Sequence, residues 1–222
     1  MIPSSPADAL GSHAPGVRDV LIEVARSTHN HFAEAHEVSR SRYAMGFGAQ
    51  WRDLLSGAHD AMKDRGFSSS KLPPAGYKLP VVNDCLVYLW RVSDSSDPSS
   101  FASSQTKKNG FGVRPPDPML FETIDDIPEE GELERVVQAA GGTMPLVLVM
   151  VHSSHLQLQS IEWAVAELIE ETGKVNLHGR QTIWRPEPVV ETMTSDVESF
   201  DSGAPVMPAI APREQEGLDP DA

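Results

Sequence analysis

Two apolar runs constrain this chain more than anything else in it. VVNDCLVYLWRV (residues 81–92) and PLVLVMVH (145–152) are mostly apolar at both alternating sets of positions. A strand with that pattern belongs in the middle of a sheet covered on both faces. Asp84 interrupts the first run beside Asn83 and Cys85. A buried carboxylate is costly unless it is paired, hydrogen-bonded or metal-bound, so Asp84 is a candidate functional group.

Helical spacing dominates the first third. Val17, Val20, Leu21, Val24, Thr28, Phe32, Ala35 and Val38 recur at steps of three and four and predict a helix entered at Pro15–Gly16. Phe47, Trp51, Leu54, Leu55, Ala58 and Met62 predict a second, with Gly66 and Phe67 as its stop. KLPPAGYKLP (71–80) cannot continue a helix. Residues 93–106 hold seven serines in fourteen positions and predict a mobile loop, which with its continuation spans 93–113. Met119–Ile124 suggests a short strand, and 131–140 a short helix.

After the second apolar run, Ser154 and Gln157 form the S-x-x-Q pattern of a helix start. Leu158, Ile161, Val165 and Leu168 follow at helical spacing, so 155–172 is expected to be a helix ended by Gly173. Val175–Arg185 reads as a strand pair turned at Gly179–Arg180 or as one longer strand. The expected fold is an α/β or α+β single domain over 16–186: an N-terminal helical pair plus a small mixed sheet with a strand-helix-strand crossover. Residues 1–15 are expected to be disordered. Residues 187–222 are expected to form a disordered acidic tail, since 186–222 holds nine acidic side chains and one basic.

Charge limits the function classes. The net charge is −14, with +1 over residues 1–110 and −15 over 111–222. A nucleic-acid backbone is ordinarily gripped by a concentrated basic surface. That leaves Arg40, Arg42, Arg52, Lys63 and Arg65, with Lys71 and Lys78, as the only local stretch suited to it. The single cysteine excludes an internal disulfide and a thiolate zinc cluster. No apolar run reaches membrane-spanning length, and the opening residues lack the basic start and apolar run of a secretory signal. These features predict a cytoplasmic protein with no membrane contact.

No motif names a reaction. His29, His31 and His36 lack the three- or four-residue spacing of a helical metal pair, and no metal or cofactor is expected. G-x-G at 46–48 lacks the rest of a phosphate loop, and no G-x-S-x-G elbow occurs. His152, Ser153, Ser154 and His155 fall between an apolar strand and an expected helix start, a place suited to an anion, so they form a candidate ligand site. The order of elements also matches that of a PD-(D/E)xK nuclease core, in which Asp84 and Glu162 would be the catalytic carboxylates. The second central strand, however, supplies neither an acid nor a lysine. Three functions are therefore expected in order: a non-enzymatic adaptor or regulatory protein acting through a protein partner, a metal-dependent nuclease or its inactive relative, and a sensor of a small phosphate-bearing ligand.

Overall fold

Strand β4, Leu146–Ser153, is buried along nearly its whole length and organises the rest. The structure is a computed structural model that describes residues 2–40, 45–93, 96–115 and 142–187. Its helices are α1 (Pro6–Leu10), α2 (Ala14–Ser39), α3 (Gln50–Lys63) and α4 (Gln105–Asn109). Its other strands are β1 (Ser68–Leu72), β2 (Tyr77–Val82), β3 (Cys85–Val92), β5 (Leu158–Ile169) and β6 (Lys174–Trp184). All six strands form one sheet in sequence order. β3 and β4 run parallel from Leu86↔Leu146 to Val92↔His152, and every other neighbouring pair is antiparallel. The domain is α+β with a mixed sheet.

The two apolar runs do lie side by side at the sheet's centre, and both faces are covered. α2 and α3 pack on one face. On the other, residues 96–115 seat Phe101 4.9 Å from Tyr88 and 5.4 Å from Trp90, ring to ring. The serine-rich stretch therefore carries structure where a mobile loop over 93–113 is expected. Ser100 and Ser104 serve short turns, and the buried Phe101 and Ala102 anchor them.

Three further expectations need correction, and one open alternative is decided. Residues 1–15 are not wholly loose: α1 buries Ala9 and Leu10, and α2 begins at Ala14 with Pro15 in its first turn. The run 81–92 is not one strand, because Asn83 and Asp84 adopt positive φ (48° and 56°) in a two-residue hairpin turn between β2 and β3. Both residues tolerate the left-handed region, which a turn of this hand requires. Residues 155–172 are not a helix. β5 pairs with β4 from Leu146↔Ala166 to Ser153↔Leu158, so a hairpin replaces the strand-helix-strand crossover. The 175–185 segment is one long strand, bulged where Gly179 (φ 57°) passes Ser4 and Ser5. The expected strand at Met119–Ile124, the helix at 131–140 and the tail from 188 lie outside the described residues.

Candidate ligand-binding site

The residues singled out from the sequence do not converge. Ser154 does cap, but it caps a turn: its Oγ accepts from the N–H groups of Leu156 (3.2 Å) and Gln157 (3.0 Å), and its own N–H donates to the Gln157 carbonyl. Without a helix start there is no dipole to hold an anion. Ser153 is buried toward the helices, where its Oγ and carbonyl accept from Arg91 at 3.1 and 3.0 Å. His152 faces the opposite side and bonds Glu162 at 3.2 Å. His155 stacks edge-on against His36.

Nor do the nuclease carboxylates meet. Asp84 is exposed on its turn, whereas Glu162 lies level with Met150 and Trp90 through the strand register. Six residue steps along β3 separate those levels, roughly 20 Å at strand rise. Glu162 is already engaged by Arg180 (2.6 and 2.9 Å), His152 and Thr182. Burial pushes its carboxyl up, yet the bonds and charge of Arg180 and His152 outweigh this and hold it below the ordinary glutamate range. No group of three metal-ligating side chains occurs among the described residues. Of the basic positions, Arg42 is outside the described residues, Arg52 lies over the Trp51 ring, Arg65 donates to the Ala61 carbonyl, and Arg40 caps α2. Cys85 is buried beside α1, where burial and then Asp84 push its thiol up to about 12, too high for a nucleophile.

A different site emerges where the sheet divides. β2 pairs with β3 only at Val82↔Cys85 and Val81↔Leu86. The next register position sets Pro80 opposite Val87, and proline has no N–H to continue the ladder. β2 stays paired with β1 as far as Tyr77↔Leu72, so that ribbon leaves the sheet while β3 runs on to Val92. The resulting wedge is a cleft of about 420 Å³. Trp51 and Tyr77, in edge contact at 5.1 Å, form one wall, and Tyr88, Trp90 and Arg91 of β3 the other. Phe47 closes one end and Lys107 of α4 lies across the mouth.

The electrostatics of this cleft are one-sided. Among the described residues its lining contains two cations and no acidic side chain. Lys107 Nζ lies 4.8 Å from the centre of the Trp90 ring and 5.2 Å from that of Phe101, and no carboxylate among the described residues pairs with it. Burial alone pulls this ammonium below the ordinary lysine value. Arg91 sits over Phe47 at 5.6 Å. The aromatic faces stabilise the Lys107 charge but do not neutralise it.

Sequence periodicity does not reveal this cleft. Lys107 lies in the serine-rich stretch, Tyr77 in the proline-rich one, and Trp51 and Trp90 read as ordinary core residues. Pro80 was the available signal, because a proline inside an apolar strand marks a place where pairing ends. Comparison with known protein families, curated proteins and solved structures finds no match for this chain.

Proposed function

We propose that this protein is a non-enzymatic, regulatory binding module for a small anionic molecule with a flat aromatic body, received in the cleft between β2 and β3. The observation that carries the reading is the pairing of Lys107 with Trp90 and Phe101, and with no carboxylate among the described residues, inside an aromatic-lined recess. Rings stack on rings, and a negative substituent supplies the charge that the cleft lacks. This is the ligand-sensing function expected from sequence, moved from the His152–His155 turn to the sheet wedge. A cytoplasmic location belongs to the same proposal. It is supported by the absence, among the described residues, of any helix long and apolar enough to cross a membrane.

Adaptor function through a protein partner ranks second. Its support is Val38 at 84% and Leu156 at 78% exposure. Single exposed apolar residues are common on monomers and do not by themselves mark a partner surface.

The test uses 8-anilinonaphthalene-1-sulfonate, a fluorescent aromatic anion, alongside N-phenyl-1-naphthylamine, the same rings without the sulfonate. Saturable one-to-one binding of the sulfonate is expected, weakened roughly tenfold in Lys107→Gln, a loss of about 1.4 kcal/mol. Lys108→Gln, one position along α4, should leave it unchanged. The neutral analogue should bind weakly and ignore both substitutions. Equal effects of the two lysines, or equal binding of the two probes, would remove the reading.

A further inference from the structure

Behind the cleft lies a set of polar side chains that the binding reading does not use. His29 of α2 is 3% exposed and Gln50, at the start of α3, 0%. His29 Nδ1 and Gln50 Nε2 are buried, and among the described residues neither has a hydrogen-bond partner. An amide N–H₂ closed off from water and unbonded costs about 1–3 kcal/mol, and two such atoms call for an explanation.

They are linked through Arg91 and Phe47. Gln50 Oε1 accepts from Ser153 Oγ at 3.5 Å, and Ser153 in turn accepts from Arg91 Nε and Nη2. The His29 ring lies 5.8 Å from that of Phe47, whose face also carries the Arg91 guanidinium. Phe47 and Arg91 are common to both compartments: they line the cleft and touch the polar set. Phe47 is thus the partition. It stands on a 3-10 turn, Met45–Gly48, between two glycines, and a Cβ on either Gly46 or Gly48 would meet no atom within 4 Å.

We propose that the cleft has an inner polar recess, built from His29, Gln50, Ser153 and Arg91 and gated by Phe47, which receives the oxyanion end of the ligand. The unbonded atoms are donors: Gln50 Nε2 carries two N–H groups and His29 Nδ1 can carry one, while Arg91, bonded to Ser153, lies beside them. A phosphate or a carboxylate matches them equally. The inference rests on the binding reading for its outer half, since the aromatic body would stay against Trp90 and Lys107.

The test uses inorganic phosphate as probe, with side-chain amide and imidazole NMR signals as readout. Phosphate should shift the Gln50 N–H₂ and His29 ring signals in the full chain. Phe47→Ala should lower the phosphate concentration at half-shift by roughly fivefold. Gln50→Leu should abolish the His29 response while 8-anilinonaphthalene-1-sulfonate still reports on Lys107. If phosphate moves neither signal in the full chain or in Phe47→Ala, the recess is not an anion site. The recess is equally excluded if Gln50→Leu raises thermal stability and leaves the phosphate response of His29 intact, which would mark the two orphaned atoms as a packing defect. Either result overturns the recess and leaves the cleft standing. Loss of sulfonate binding to the cleft, with the Gln50 response retained, would do the reverse.

Discussion

Glu162 is a structural anion and not a reactive one. Its carboxylate ties β5 to β4 through His152 and to β6 through Arg180 and Thr182, across the sheet face opposite α2 and α3. Glu162→Gln removes the charge but keeps the shape, so a loss of about 1 kcal/mol is expected in urea denaturation near pH 7. The sign of the pH dependence follows from the lowered carboxyl. In the unfolded chain Glu162 titrates near 4.5, and in the folded chain below it. Its contribution is therefore complete above 4.5 and disappears as pH falls through the folded value. The stability gap between wild type and Glu162→Gln should close as pH falls below about 4.5. A gap as wide at pH 3 as at pH 7 would mean that the ion pairs contribute nothing. Asp84 differs in kind: its φ of 56° makes it a turn residue. Asp84→Gly should add up to about 1 kcal/mol of stability, whereas Asp84→Val should cost about 1–2 kcal/mol, because a branched side chain resists the left-handed region. Opposite signs for these two variants in thermal melts would confirm the hairpin. Equal losses would point back to a carboxylate in use.

At the scale of elements, the sequence was readable where pattern and environment agreed and misleading where they competed. The pair α2 and α3 and the neighbouring strands β3 and β4 follow from periodicity because helix stripes and doubly apolar runs admit one interpretation. β5 admits two. Leu158, Ile161, Val165 and Leu168 sit at helical steps, and its Ala and Glu residues favour a helix locally. The same segment also alternates Ile161, Trp163 and Val165 with Glu162, Ala164 and Ala166, a strand with bulk on one face and small groups on the other. What decides is β4, which is buried on both faces and open on one edge, so its N–H and C=O groups need a partner that β5 supplies. The S-x-x-Q pattern failed for a related reason: a serine hydroxyl satisfies the first N–H groups of a turn as readily as those of a helix. β6 carries the element's own prediction. A Cβ at Gly179 would lie 2.6 Å from Ser4 O and Ser5 Cα, at a φ of 57°. Gly179→Ala should cost about 2–3 kcal/mol and loosen α1, seen as faster amide exchange at Ala9 and Leu10. Unchanged exchange there would mean that the N-terminal segment does not depend on this contact.

Across the whole domain, one sheet is covered by two unlike layers. The α2–α3 side is a broad apolar interface, with Val17, Val20, Leu21, Leu54, Leu55 and Met62 all buried. The other side depends on the segment between β3 and β4, whose described part holds the sheet through one fully buried aromatic, Phe101, set among Tyr88, Trp90 and Phe111. Phe101 also lies beneath Lys107, so the same ring supports both the covering segment and the cleft's cation. The described part of this layer should open before the α2–α3 side, since it holds the sheet mainly through the one ring of Phe101. Phe101→Ala removes a whole buried ring and is expected to cost about 3–5 kcal/mol. Hydrogen exchange distinguishes how that loss is distributed. If the covering segment is a separate unit, amides of residues 98–112 lose protection while those of β4 and β5 keep theirs, and the sulfonate probe no longer senses Lys107. If protection falls equally in the covering segment and in β4, the two layers unfold as one, and the cleft is as rigid as the sheet from which β2 departs.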